Sequence, residues 1–467
     1  MSLCNKPIAR RSFLTAGAGL GWARDAQAAP PAHPNVLVLL ADDLGWGDVG
    51  FQASEIRTPN LDGLAREGVR LDRFYSCPLC SPTRSALLTG RSPMRLGTGY
   101  TVIRPWVDYG IPLQEHFMPE TFRSAGYQTG MAGKWHLGHS RAAYLPHRRG
   151  FDSAYGHLNG NIDYFTHMRE GGLDWQRDGK SVREEGYSTD LIAGETVRFL
   201  RRRDRSRPFF FYTAFNAPHT PLQAPAEYIA RYAVIADERR RVFAAMVESM
   251  DAAIGRILRA LDEEGAARDT IVLFFSDNGG PTGAGARNGA LRGGKATTWE
   301  GGLRVPAVLR WPGRLKGGGV SRQMTAVMDV FPTLAAAAGV KPRNRLPFDG
   351  ENLWPQIVSG AAKPREDQFF SVEAGNGISL ALFHREWKLV RQIPRQGSPV
   401  DHLYRIEEDP SEKNDLAARY PEVVKDLAAR AERWRKFHPT GGVRHVEPGD
   451  QPKGWKAPPQ WAEAAQP

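Results

Sequence analysis

Two stretches of this chain end alike. Val36-Leu37-Val38-Leu39-Leu40 and Ile271-Val272-Leu273-Phe274-Phe275 are unbroken apolar runs. Each stops at a pair of oxygen-bearing side chains near glycines: Asp42-Asp43 before Gly45 and Gly47, and Asp277-Asn278 before Gly279-Gly280. A strand that is apolar at successive positions leaves no face for water. It belongs in a sheet covered on both sides, the habit of parallel strands in α/β folds. Ligands of open α/β sheets gather at the carboxyl ends of such strands, where both pairs fall. Neighbouring strand residues point to opposite faces, so adjacent acids converge only if the chain turns. Gly45 and Gly47 are expected to permit that turn.

The four side chains Asp42, Asp43, Asp277 and Asn278 form an all-oxygen set, suited to calcium or magnesium rather than zinc. Each is also an ordinary turn former beside glycine; the repetition at two strand ends favours a site. Further buried strands are predicted at residues 127–132 and 208–215, and a strand at 69–74. Helices are predicted at 59–67, 119–125, 190–200, 329–338 and 421–437, with a long amphipathic one at 238–261. If the strand at 127–132 stays extended, Lys134 and His136 point the same way. His219 follows the end of the 208–215 strand in a proline-bounded loop, and Lys295 follows a Gly-rich loop at 281–294. The fold class is α/β, a large, mostly parallel sheet flanked by helices. A main domain is expected at 33–362, an antiparallel sheet with one helix at 363–440, and an extended tail at 441–467.

Residues 1–28 read as an export signal. Arg10-Arg11-Ser12-Phe13-Leu14 resembles a twin-arginine motif, a short apolar run follows, and Ala26-Gln27-Ala28 fits a cleavage site. The apolar run is too short to span a bilayer, so no stable membrane insertion is expected. The reading is a periplasmic or secreted bacterial protein, exported by the twin-arginine machinery. Three cysteines, Cys4, Cys77 and Cys80, exclude a disulfide scaffold. The net charge of +11 suits a polyanionic substrate, and no nucleic-acid motif accompanies it.

The string Cys80-Ser81-Pro82-Thr83-Arg84-Ser85-Ala86-Leu87-Leu88-Thr89-Gly90-Arg91 reads as a short helix. Pro82 is tolerated in its first turn and Gly90 offers a left-handed stop. Cys80 thus falls at the positive end of a helix dipole. Cys77-Pro78-Leu79-Cys80 is also a C-x-x-C, but no second such pair completes a zinc site and no thioredoxin-like pattern surrounds it.

The pattern C-x-P-[ST]-R-x-x-x-L-T-G-R resembles the signature of the type I sulfatases, and every fixed position is met. The resemblance runs over roughly residues 34–440 and is nearest to the arylsulfatase B, or N-acetylgalactosamine-4-sulfatase, group. Residues 133–138, 148–152, 217–222 and 291–295 also look like that group. The resemblance implies an alkaline phosphatase-like fold and oxidation of Cys80 to Cα-formylglycine by a formylglycine-generating enzyme. It implies metal ligation of one calcium, with magnesium as the alternative, by Asp42, Asp43, Asp277, Asn278 and residue 80. It places Arg84, Lys134, His136, His219 and Lys295 around a sulfate. The implied activity is hydrolysis of sulfate esters of a small molecule or glycan by the aldehyde hydrate. His219 or Lys295 would protonate the leaving alcohol, and His136 would act as base. Two alternatives stay open: a phosphonate monoester or phosphodiester hydrolase with the same machinery, and a non-catalytic sulfoglycan-binding protein that keeps Cys80 as a thiol. Specificity is expected in loops around 95–115, 141–187 and 375–400.

Overall fold

The structure is a computed structural model that describes residues 1–2, 33–375, 377–444 and 451–467. The export signal, beyond its first two residues, lies outside the described residues.

Ten strands make the central sheet: β1 (Asn35–Ala41), β2 (Val69–Leu71), β3 (Gln128–Lys134), β4 (Ser153–His157), β5 (Gln176–Arg177), β6 (Lys180–Ser181), β7 (Phe209–Ala214), β8 (Thr270–Ser276), β9 (Ala307–Arg310) and β10 (Gly319–Ser321). Their order is β10-β2-β9-β8-β1-β7-β3-β4-β5-β6. The five middle strands, β8 to β4, run parallel. β9 is antiparallel to both neighbours, and β5 and β6 finish the other edge antiparallel.

Both faces of the apolar strands are covered, as the unbroken runs require. Val36, Val38 and Leu40 join one core cluster with Phe210, Tyr212 and Leu273. Leu37 and Leu39 join the other with Phe211, Val272 and Phe274. Each such side chain removed from water contributes about 1.5–3 kcal/mol. The second layer is roofed by α3 (Ser188–Arg202) and α4 (Glu238–Glu263), preceded in the chain by α1 (Pro59–Glu67) and α2 (Cys80–Thr89). Asp237 caps α4 by accepting from the Arg239 and Arg240 amides. From the buried face of α4, Asp251 accepts from the Asn60 and Leu61 amides (3.1 and 2.8 Å), so one helix supplies the N-terminal partner of another.

The strand expected at 69–74 is interrupted. Val69–Leu71 and Phe74–Tyr75 are separate strands, with Asp72 between them held by the Arg304 guanidinium. The last strands form a second sheet, β11 (Gln368–Ala374), β12 (Gly377–His384), β13 (Trp387–Pro394) and β14 (Val400–Arg405), all antiparallel in that order. Period-two alternation divides it. Leu382, Leu389 and Leu403 pack under α5 (Pro421–Arg435), while Phe370, Phe383, Val390 and Tyr404 enter the main core. The described tail, 451–467, has no helix or strand and lies against the main domain. Trp461 is buried, its amide bonding to the Leu173 carbonyl, and Gln466 bonds with Ser140 and Ala142. Among the described residues, no helix is long and apolar enough to cross a membrane.

Candidate active site

Register brings the acid pairs together. β1 and β8 are aligned so that Ala41 faces Ser276, and the next residues, Asp42 and Asp277, leave the sheet side by side. The Asp277 amide donates to the Ala41 carbonyl, Asp42 to Ala217, and Asp43 to the Asp277 carboxylate at 3.2 Å. The turn that lets Asp43 rejoin Asp42 is made by Asp43 itself, at φ +71°. This corrects the expectation for the glycines, since Gly45 and Gly47 keep negative φ. They are glycines because the 287–289 loop lies against them: a Cβ on Gly45 would meet the Arg287 carbonyl oxygen at 2.3 Å.

The first residue of α2 is Cys80, and Gly90 closes the helix in the left-handed conformation at φ +68°. Cys80 Sγ sits 3.4 Å from Asp42 Oδ1 and 3.5 Å from Asn278 Oδ1. Three cations ring the acids. One turn into α2, Arg84 donates to Asp277 Oδ2 through Nε and Nη2 (3.1 and 2.8 Å). Lys134 Nζ, at the end of β3, is 2.5 Å from Asp42 Oδ2. Its predecessor Gly133 has φ +110°, and a Cβ there would lie 1.8 Å from the Ala214 carbonyl oxygen, so only glycine brings Lys134 this close. Lys295 Nζ is 2.7–2.8 Å from the Asp43 carboxylate. His219 Nε2 is 3.6 Å from Asp43 Oδ2. Ligand atoms of Asp42, Asp43, Cys80 and His219 lie within 4.8 Å of one another.

The Sulfatase family profile matches residues 34–340. The chain belongs to the sulfatase family. Arylsulfatase J of Mus musculus is 34% identical over 462 residues, covering 88% of this chain and 77% of its own. N-acetylgalactosamine-6-sulfatase of Homo sapiens is 38% identical over 360 residues, covering 72% and 68%. Among solved structures, Ps i-CgsB in complex with k-i-k-neocarrahexaose superposes with a TM-score of 0.83 at 32% identity, covering 89% of this chain and 95% of that one. This sulfatase is therefore a sulfuric ester hydrolase with the alkaline phosphatase-like architecture expected from its sequence.

In this sulfatase His136 departs from expectation. β3 stops at Lys134, and His136 takes φ +58°, so the two side chains do not share a strand face. His136 Nε2 lies 3.0 Å from the Ile103 carbonyl. A carbonyl only accepts, so Nε2 carries the proton and the buried, unpartnered Nδ1 presents a lone pair. The same logic applies to His219. Its Nδ1 is 2.6 Å from the Thr220 carbonyl, leaving the Nε2 lone pair toward Asp43. Burial, then Lys134 and Arg84, hold His136 well below the usual imidazole range. Burial and Lys295 push His219 down to about 3 against the pull of Asp43. Both rings are neutral acceptors.

The acids differ from one another. Burial and the Asp277 charge push Asp42 up to about 7 against Lys134 and Arg84. Burial also acts on Asp43, but the Lys295 ammonium and the Asn278 amide outweigh it and hold the group well below the carboxylate range. Three carboxylates this close, all buried, repel each other, which a hard divalent cation would relieve. The all-oxygen set Asp42, Asp43, Asp277 and Asn278 thus fits calcium or magnesium. Cys77 and Cys80 are both free thiols, and burial pushes Cys77 up to about 12. A C-x-x-C redox pair needs a low-pKa thiol, and this one has the reverse.

Two features went unread in the sequence. Asn288, within the Gly-rich 281–294 loop, bonds through its amide to Gly280 and Gly293 and fixes the approach to Lys295. An Asn among glycines is a signal for such backbone bonding. Ser81 Oγ donates to the His136 carbonyl and accepts from the Ile103 amide, tying α2 to the histidine loop.

Proposed function

We propose that this sulfatase hydrolyses sulfate esters of carbohydrates, with aryl sulfates as surrogates, using residue 80 as a Cα-formylglycine and one calcium ion. The observation that carries this reading is the convergence of two oxygen pairs and three cations on residue 80 at the positive end of a helix. Sulfated sugars are favoured because relatives and structural neighbours include an N-acetylgalactosamine-6-sulfatase and a protein complexed with a neocarrahexaose.

Asp42, Asp43, Asp277 and Asn278 would hold the ion, which supplies positive charge to the sulfate oxygens and to the nucleophile. The hydrated aldehyde supplies two hydroxyls, one to attack and one to release the product. The chain's own residues do the rest. Arg84, Lys134 and Lys295 offset the charge of the sulfate in a dry site where that interaction is strong. His136 Nδ1 accepts a proton, since its other nitrogen is committed to Ile103. Lys295 is the donor toward the leaving oxygen. Asp43 keeps its ammonium charged, whereas His219 presents a lone pair. Residues 1–28 are proposed to export the protein by the twin-arginine route, and a formylglycine-generating enzyme to mature it.

Purified protein assayed with nitrophenyl sulfate, a panel of sulfated sugars and a phosphonate monoester tests the reading. The expected result is hydrolysis of the sulfates, abolished by chelation and restored by calcium. A Cys80→Ser protein should turn over at most once, because serine lacks the second hydroxyl. Sustained Cys80→Ser turnover, or preference for the phosphonate, would refute it.

A further inference from the structure

The loop that carries Lys295 has two sides. It closes on itself through the Gly301 amide and the Arg292 carbonyl at 2.7 Å. One side faces the site: the Lys295 amide bonds to the Gly280 carbonyl, the Ala296 amide to Pro78, and Lys295 Nζ to Asp43. The other side is gripped by the second sheet. Thr298 Oγ1 is 2.6 Å from Ser379 Oγ on β12. Trp299 packs on His402 and Tyr404 of β14, ring centroids 5.3 and 6.2 Å apart, with the Arg292 guanidinium over its ring at 3.6 Å. Arg292 also donates to the Tyr404 hydroxyl.

The strongest grip is ionic. Lys388 Nζ, on β13, donates to Glu300 Oε1 at 2.9 Å and forms an ion pair with Glu412 Oε1 at 2.7 Å, and all three side chains are buried. Glu412 Oε2 accepts from the Glu300 amide at 2.8 Å. Glu300 Oε2 accepts from the Tyr75 hydroxyl at 3.0 Å, on the short strand that leads into α2. One ammonium therefore joins the second sheet to the Lys295 loop and to the segment feeding Cys80. Removing it leaves two neighbouring buried carboxylates without their shared counter-charge.

We propose that the second sheet is the frame that positions Lys295, and that Lys388 is the positioning residue which joins frame to loop. The inference rests on the reading of Lys295 as a group that meets substrate, but the frame is tested separately. Lys388 touches no reacting atom; it acts only through where Lys295 sits. A displacement of about 1 Å at a catalytic group costs on the order of a hundredfold in rate.

The experiment uses mature protein with calcium present, as wild type, Lys388→Met, Lys295→Ala and the double variant. Amide hydrogen exchange reads the frame without reference to activity. Lys388→Met should gain more exchange in residues 292–302 than in β1 and β8. On a sugar sulfate, Lys388→Met should lower kcat on the order of tenfold to a hundredfold with KM little changed. The double variant should be no slower than Lys295→Ala alone, and Lys388→Arg should recover part of the loss. Unchanged exchange at 292–302, or a double variant slowed by the product of both single losses, would overturn the proposal. A Lys295→Ala protein as fast as wild type would instead count against the functional reading, whatever the exchange shows. If Lys388→Met does not fold, Ser379→Ala combined with His402→Ala loosens the same loop from half-buried positions and gives the same comparison.

Discussion

Two of the buried clusters of charged side chains among the described residues are built differently. At the carboxyl ends of β1 and β8, Asp42, Asp43 and Asp277 crowd together with Arg84, Lys134 and Lys295 around residue 80. Between the two sheets, Lys388 is closed between Glu300 and Glu412. In the second cluster two carboxylates share one ammonium; a tyrosine hydroxyl donates to Glu300 and the Glu300 amide to Glu412, while burial and Glu300 push Glu412 above the usual carboxylate range against Lys388. The first is a cluster in tension. Asp42 is pushed up to about 7 chiefly by burial and by Asp277, and the buried His136 Nδ1 has no hydrogen-bond partner among the described residues. Each of the three acids there is paired with a cation, and it is the cluster proposed above to hold an ion and an anion. The second cluster lies between two packed parts of the chain and is read as a joint. Function tends to be bought with stability in the first kind and not in the second.

Variants can break or sharpen this contrast. The largest effect is expected for Asp42→Asn, which keeps shape but removes a charge from the crowded set. Turnover of nitrophenyl sulfate should fall by about 10³-fold or more, several kcal/mol of transition-state stabilisation. Melting measured in chelator should stay near wild type, and added calcium should raise the melting temperature of wild type but not of the variant. A large loss of stability in chelator would place Asp42 with the joints. Lys388→Met should behave oppositely, losing about 3–5 kcal/mol of stability in denaturant unfolding while keeping the stabilisation by calcium. Third is Lys295→Ala, expected to slow a sugar sulfate by about 10²-fold or more. It should slow nitrophenyl sulfate much less, because nitrophenolate leaves without a proton. Equal losses on both substrates would deny Lys295 its donor role. The smallest effect belongs to Tyr75→Phe, which takes one hydrogen bond from a charged partner. About 1.5–3 kcal/mol of stability should go, and a neutral result would mean that Glu300 does not depend on that hydroxyl.

The two clusters also differ in how far they could be read from residues alone. The acid pairs announced themselves because each ends a run with no polar face, and an all-apolar strand has one place to go. The helix at 80–89 was legible through Pro82 near its start and Gly90 at its end. The turn at Asp43 was not, since glycines stood nearby to take the credit and the acid itself adopts the left-handed conformation. Lys134 and His136 do not share a face because the extended chain ends with β3; beyond it the Trp135 and His136 amides bond to the His157 and Leu158 carbonyls as the chain turns away. The Lys388 joint was invisible for a plainer reason. Lysine and glutamate are mostly solvent-exposed, and Glu300 lies 88 residues from Lys388 and 112 from Glu412 along the chain. Nothing local distinguishes Lys388 from a surface lysine on an antiparallel strand.

The central claim is that residue 80, once an aldehyde, is what the oxygen pairs and cations are arranged around. The most direct test prepares the protein at graded extents of conversion, reads the aldehyde fraction by mass spectrometry of the peptide containing residue 80, and measures sulfate ester turnover for each preparation. The account predicts a rate proportional to that fraction, extrapolating to zero for the thiol form. A rate independent of the aldehyde fraction would contradict it.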